Sequence, residues 1–569
     1  MANVTTRPAS EAKHKSPQVI SPAPTDPPKD NAHGRWMALT AALLGWMFDG
    51  AEMGIFSLVG RKAVMDLMPT ANEQTVGLWF NVIIASFLVG AATGGVVFGW
   101  LGDRIGRVRA MTLSVLTYAL FTGLCGFAGE AWQVGVLRFI AALGMGGEWS
   151  LGVALVMEVW PNKSRAFMAG LIGAAANVGY LLVGFLGLGL LGVIQGMEET
   201  MLSIGLPAST VTMLVRNDGW RLMMIAGTLP ALLTFLIRVF VPESEKWEHE
   251  QEKGTTSHWA SQDLFGVLIG LIGPFMIVYL WAFDRTYQPG TETVLFEHGN
   301  VLRIVGTILG LAIALVGYTY PVVRYFQRHA IHSAGTSAPW AGTMQRMLLG
   351  ATLSGVALLG TWGSTQQAPS WADKLTEADF NKTKQQLVAE GKTEEAASLQ
   401  RPKLRAREYT LIWLSVGAII GTLAAAFMGD WLGRRTAFFL LCLTSLLSVW
   451  GLYLLNTSYG TPLLIWAFIA GTCTASFYGW LPLYLPELFS TNVRATGQGF
   501  SFNFGRILAA IGVLQVGNLL KLFDTDVMLG SLVIPHGHAL ACSTISLVYV
   551  LGMVIIWFAP ETKGQPLPD

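Results

Sequence analysis

The chain has 569 residues, of which 52% are hydrophobic and only 13% charged, with a formal net charge of +1. A soluble protein of this size carries roughly a quarter charged residues, so the composition excludes an ordinary water-soluble globule, and a near-zero net charge offers no footing for nucleic acid. The four cysteines, Cys125, Cys442, Cys473 and Cys542, lie in apolar segments without CxxC spacing and read as small hydrophobes rather than disulfides or metal ligands.

Residues 1–33 are rich in Pro, Ser, Lys and Asp and hold no apolar run, which predicts a disordered cytoplasmic tail rather than a signal peptide. Apolar stretches of about 20 residues, long enough to span a bilayer, then recur near 36–60, 74–100, 109–128, 132–158, 165–194, 219–241, 264–283, 300–323, 346–363, 409–429, 436–455, 461–484, 496–520 and 540–559. About fourteen such segments predict an all-α polytopic membrane protein. Short-loop basic residues orient it. Arg104, Arg107 and Arg109 share one loop, Lys163 and Arg165 a second, Arg324, Arg328 and Arg346 a third, and Arg434 and Arg435 a fourth. All four fall on the cytoplasmic side of the inner (plasma) membrane when both termini are inside. Residues 364–408 break the rule, with Arg401, Lys403, Arg405 and Arg407 outside. Long loops obey it weakly, and this one reads as a partly helical outer cap.

Two loops nearly repeat each other: GWLGDRIGRVR from Gly99 and GDWLGRR from Gly429. Asp103 to Asp430 is 327 positions, as is Arg107 to Arg434. EVWPNKSR and ELFSTNVR, from Glu158 and Glu487 to Arg165 and Arg494, repeat at an offset of 329, and PES at Pro242 and PET at Pro560 close each copy. Matching offsets imply duplication of a six-span unit. They predict an N-terminal half over 34–245 and a central linker over 246–345 that carries an extra transmembrane hairpin at 264–323. A C-terminal half over 346–560 and a cytoplasmic tail at 561–569 follow.

These motifs resemble the major facilitator superfamily, whose loop motif is matched by Gly99, Leu101, Asp103, Arg104, Gly106 and Arg107. The E-x-x-P-x-x-x-R run, PES and PETKG are similar to those of sugar porters and relatives that carry organic acids. FDGAEMG at Phe48–Gly54 resembles the first-span signature of aromatic-acid and sialic-acid proton symporters, and GGEW at Gly146–Trp149 resembles metabolite–proton symporters. The resemblance implies a major facilitator fold of two pseudo-symmetric six-helix halves, here with the added hairpin. It also implies transport by alternating access, a small-molecule substrate and protons as partners, a bilayer around the protein, a monomer, and no cofactor.

Charges inside a bilayer default to function. Asp49 and Glu52, three residues apart, share a face of the first span. At ~1.5 Å per residue, Glu52 lies roughly 24 Å from the inner end of its span and Arg138 about 9 Å from the outer end of span four, at similar heights. The resemblance then implies that Glu52 is the proton-binding carboxylate and Arg138 its partner. Asp49 either shares the role or caps a helix interface, and Glu148 is either a second relay nearer the cytoplasm or a hydrogen-bonded interface residue. The alternative is a permanent structural ion pair. Arg506 sits near mid-membrane, where a guanidinium fork suits a carboxylate or phosphate; the alternative is an ion pair with Asp49 or Glu52. Phe80, Asn81, Asn177, Tyr180, Tyr478, Trp480, Gln498 and Asn503 are further candidate substrate contacts, against ordinary helix packing. Gly99, Asp103, Arg104, Arg107, Glu158, Arg165, Glu243, Asp430, Arg434, Arg435, Glu487 and Arg494 form the expected cytoplasmic latch. His536 and His538 read as a solvated turn.

No Walker loop, GxSxG or HExxH is present, so an enzyme is not expected. The leading expectation is proton symport of a small organic acid. A sugar or polyol carrier and a non-transporting sensor of the same fold are the alternatives.

Overall fold

A computed structural model describes residues 32–568 apart from 231–232, 234–236, 238–239, 283–298, 333–339, 400–403, 524–526, 530–531 and 535–536. Of the expected tail over 1–33, residues 1–31 lie outside the described residues, as do Arg401, Lys403 and His536, while Ala32 and His33 open the first helix and are not part of a disordered tail. The N-terminal set of helices is α1 (Ala32–Leu67), α2 (Glu73–Ile105), α3 (Arg107–Leu124), α4 (Ala131–Val159), α5 (Arg165–Ser203) and α6 (Ala208–Ala226). The linker contributes the short α7 (Glu245–Glu252) and the hairpin of α8 (Leu264–Ala282) and α9 (Gly299–His332). The second set comprises α10 (Trp340–Gly363), α11 (Ala368–Ala389), α12 (Thr393–Ser398), α13 (Ala406–Leu432), α14 (Arg434–Leu454) and α15 (Thr461–Thr474). It continues through α16 (Phe477–Tyr484), α17 (Arg494–Asn503), α18 (Gly505–Leu522), α19 (His538–Ile545) and α20 (Val548–Ile555).

Thirteen helical segments among the described residues are long and apolar enough to cross a membrane. The expected span at 219–241 is described only in part. Among the described residues, five of the thirteen precede the two of the hairpin and six follow it. Two details were not expected. Residues Val527–Leu529 and Leu532–Ile534 pair as a short antiparallel hairpin, and His538 opens α19 rather than sitting in a turn. The region 364–408 carries two helices, α11 and α12, as expected of its partly helical reading.

Local chemistry sets the helix ends. Asn72 caps α2 by accepting from the Thr75 amide at 2.8 Å. The end of α1 is held by Asp66, whose carboxylate accepts from Asn217 Nδ2 at 2.6 Å and Trp220 Nε1 at 3.0 Å and pairs with Arg216 at 2.5 Å. That hub sits where Asn217 and Asp218 take positive φ of 53° and 60°, breaking α6; Asn and Asp tolerate this region better than most residues.

The halves meet along two seams. At one, α5 packs on α13 and α16; at the other, α2 packs on α17 and α18. The extra hairpin lies against α2 and α18, so it touches both halves. Tyr318 of α9 is fully buried, hydrogen-bonds Thr93 of α2 at 2.7 Å and stands edge-on to Phe504. Its outer face, including Phe265, Leu268, Ile269 and Ile272, is exposed and apolar, as a lipid-facing surface requires. Small residues hold the hairpin together: a Cβ on Gly270 would lie 2.9 Å from Gly317 Cα. Gly270→Leu is therefore expected to push α8 from α9 and destabilise the protein by roughly 1–3 kcal/mol, read as a lower melting temperature in detergent. The exposed Ile269→Leu serves as the neutral control, and equal melting of the two variants would remove the close approach as a stabilising contact.

Candidate functional site: a buried cavity and its charged ends

Each half closes one end with the same charged cluster. Gly106 and Gly433, 327 positions apart, take φ of 108° and 91° and turn the chain sharply from one helix into the next. The following arginine folds back: Arg107 donates to the Gly102 carbonyl at 2.8 Å and Arg434 to the Gly429 carbonyl at 2.7 Å. The glutamates of PES and PET sit at the new helix starts, where free N–H groups and the dipole favour a carboxylate. Glu243 accepts from the Arg107 amide at 2.8 Å, and Glu561 from the Arg434 amide at 2.9 Å. Burial pushes the Glu243 carboxyl above its ordinary range. Burial also acts upward on Glu561, but the amides of Arg434, Arg435 and Lys563 and the Arg434 charge together hold it below. The residue after each glutamate completes the cluster: Ser244 donates to Glu158 at 2.5 Å, and Thr562 to Glu487 at 2.6 Å.

The two clusters differ in what they reach. Glu487 binds Arg434 of its own half in a fork, at 2.7 and 2.9 Å. Glu158 takes Arg107 at 3.2 Å and also Arg494 of the other half at 2.8 Å. Asp103, fully buried, accepts from the Ala495 and Thr496 amides and the Thr496 hydroxyl at the start of α17. Arg107 donates to the Thr491 carbonyl at 2.8 Å. Gly99 permits the approach, since a Cβ there would lie 2.7 Å from the Ala495 carbonyl oxygen. Arg494 also donates to the Pro568 carbonyl at 2.5 Å, so the segment after PET reaches the seam. Asp430 is instead largely exposed and 3.7 Å from Arg434. Arg165 Nε has no partner among the described residues. Arg104 binds Ser261 of the linker, and Arg435 the Ala559 carbonyl.

A cavity of about 100 Å³ lies between the halves, toward the face opposite the Asp–Arg loops. Trp46, Asp49 and Met53 of α1, Trp149 of α4, and Asn177 and Tyr180 of α5 line it from one half. Thr361 and Trp362 of α10, Leu414 and Ser415 of α13, Thr474, Tyr478, Phe502 and Arg506 line it from the other. Much of its polar lining is already engaged. Asn177 donates to the Gly173 carbonyl, Thr361 to Ala357, Ser415 to Leu411 and Thr474 to Ala470, all at 2.7–2.9 Å. Arg506 Nη1, Asp49 Oδ1 and Trp46 Nε1 are buried with no hydrogen-bond partner among the described residues.

Glu52 lies behind the cavity wall. It accepts from Arg138 and, at 3.1 Å, from Thr122. Arg138 is held between the Phe56 and Phe87 rings, 4.2 and 4.6 Å from their centres. Glu148 has no donor on either oxygen among the described residues; its carboxyl lies against Gly45 and within hydrogen-bonding reach of Asp49.

Of the expected substrate contacts, Asn177, Tyr180, Tyr478 and Arg506 line the cavity. Five do not. Phe80 stacks on Phe56 at 5.7 Å, and Asn81, on the same stretch of α2, is half-buried away from the cavity. Trp480 is packed among Phe438 and Tyr484. Gln498 and Asn503 bond the Ser150 and Gly146 carbonyls across the seam. Phe80, Trp480, Gln498 and Asn503 face helix neighbours rather than the opening because a helix presents only one stripe to it. Sequence reasoning missed Trp46, Phe502 and the roles of Ser244 and Thr562; the last two were findable from the matched PES and PET runs.

Residues 37–265 match the family model described as Sugar (and other) transporter. A putative metabolite transport protein of Haemophilus influenzae is 25% identical over 95% of this chain and 99% of its own length. The benzoate transport protein of Acinetobacter baylyi is 23% identical over 94% and 91%. The proton:xylose symporter XylE bound to 6-bromo-6-deoxy-D-glucose superposes with a TM-score of 0.60 at 15% identity, covering 94% of this chain and 98% of its own. At that identity the likeness is one of fold.

Proposed function

We propose that the chain is a multi-pass membrane transporter of the major facilitator superfamily, in the sugar-porter and metabolite branch, as its family-model match, fold and relatives support, and that it carries a small organic acid together with protons by alternating access. The observation that carries this is the set of open valences in the cavity. One guanidinium nitrogen, one carboxyl oxygen and one indole N–H lack partners among the described residues, while four polar side chains beside them already donate to their own helices. A polyol would need many free donors and acceptors. A single carboxylate needs the Arg506 fork. The name of the Acinetobacter relative, a benzoate carrier, supports an acid.

Proton coupling rests on two sites. The first is the buried Glu52–Arg138 ion pair, which the conformational cycle can part and re-form. Asp49 and Glu148, facing each other with little else to donate to them, share a proton more readily than two charges. An anion on Arg506 adds a negative charge beside Asp49 and favours its protonated form, which ties acid binding to proton binding. The Glu158–Arg494 and Asp103–α17 contacts act as the latch that keeps the Asp–Arg face closed. In this reading the halves span 34–245 and 346–560, the Asp–Arg face and both termini are cytoplasmic, the membrane is the inner one, and the carrier is a monomer.

Uptake of radiolabelled benzoate into proteoliposomes is the test. An imposed inward proton gradient should raise it, and Glu52→Gln should lose concentrative uptake while keeping exchange. Indifference of the wild type to the gradient would sink symport.

A further inference from the structure

The floor of the cavity is an aromatic ladder built from both halves. Trp149 of α4 and Phe502 of α17 stack face to face, their centroids 3.7 Å apart and their planes 3° from parallel. Trp46 continues the ladder beyond Trp149 at 5.9 Å and 22°. The Arg506 guanidinium continues it beyond Phe502, 5.4 Å from the ring centre. Trp46 and Trp149 belong to one half, Phe502 and Arg506 to the other, so the central rung is the one that crosses the seam.

That rung also separates the cavity from the Asp–Arg face. Both rings line the cavity, yet they are only 5% and 2% exposed. One turn nearer the Asp–Arg loops, Gln498 bonds the Ser150 carbonyl across the same seam. Any motion that opens the cavity toward that face must pull Trp149 from Phe502 and leave two ring faces bare. Trp149 covers one face of Phe502 and the guanidinium lies over the other, so a ligand whose carboxylate sits on Arg506 has its body at the edge of that ring. If the body is flat and conjugated, it can enter between the parting rings and stack on both. A puckered saturated ring of the same size is thicker and gains no aromatic pair energy from either ring.

We infer that the Trp149–Phe502 stack is the gate between the site and the Asp–Arg face, and that it selects flat, conjugated carboxylates. The inference rests on the organic-acid reading of the cavity and narrows its substrate class.

The test uses the full-length protein in detergent with two probes, benzoate and cyclohexanecarboxylate. They share a ring size and a carboxylate and differ in planarity. The wild type should bind benzoate about three- to tenfold more tightly, the scale of one aromatic pair. Phe502→Tyr, which keeps a ring, should retain that ratio, and Phe502→Leu should bring it close to one while both acids still bind. Should Phe502→Leu not fold, Trp149→Phe and Trp149→Leu make the same comparison from the other half. Equal affinities in the wild type, or a preference that survives the Leu variants, overturn the gate as a filter and leave the organic-acid reading standing. Failure of the wild type to bind either acid overturns both.

Discussion

Arg506→Ala is expected to remove carboxylate binding, lowering benzoate affinity by roughly thirtyfold or more, the loss that follows from truncating one partner of a buried charge pair. Isothermal titration or ligand-induced thermal stabilisation reads it directly. Arg506 is almost fully buried at the cavity wall, and its Nη1 has no partner among the described residues, so it is the group in the lining best placed to hold an anion. Arg506→Lys keeps a cation but loses the planar fork, and should fall between the two. Unchanged affinity in Arg506→Ala would remove the reason for preferring acids to sugars. The substitution also takes from Asp49 the cation that faces it, so any binding that remains should lose its dependence on pH in step with its loss of strength.

The second large effect is expected at Glu158. Its side chain is fully buried and holds Arg107 and Arg494 together. Glu158→Gln leaves two guanidinium groups without that counter-charge, a loss of about 3–5 kcal/mol for breaking a buried ionic cluster. Asp103 still faces Arg107 at 2.7 Å, so the weakened contact is the one that crosses to Arg494. The variant should melt earlier and open more readily toward the Asp–Arg face, seen as faster thiol labelling of a cysteine introduced at Ser150. Glu487→Gln is the matched control. Its partner Arg434 lies in the same half, so it should lose stability without faster labelling. Equal labelling of the two variants would show that the clusters are structural pins and not a latch.

Much of the architecture was legible because its signals are local. Hydropathy located the membrane-length helices, and thirteen of them stand among the described residues. The repeat offsets marked the paired loops, and Gly106 and Gly433 do adopt the same strained turn. The site was legible only in part. Buried charges announce themselves by residue type in an apolar run, which is how Asp49, Glu52, Arg138, Glu148 and Arg506 came forward. Trp480 and Gln498 came forward as polar or aromatic residues on the right spans, but their faces turn to a neighbouring helix and across the seam.

By itself the sequence determined the number and order of spans, the duplication, the extra hairpin and the chemistry available in the membrane, because each depends on composition and spacing within a few turns of helix. Only the tertiary structure decided which of those groups meet. Asp49 faces Arg506 and Glu148, Glu52 is withdrawn behind the wall with Arg138, and Glu158 rather than Glu487 bridges the halves. Those pairings depend on the rotation of each helix about its axis and on contacts between helices hundreds of residues apart. The same side chains on a helix turned by a third of a revolution would meet other partners.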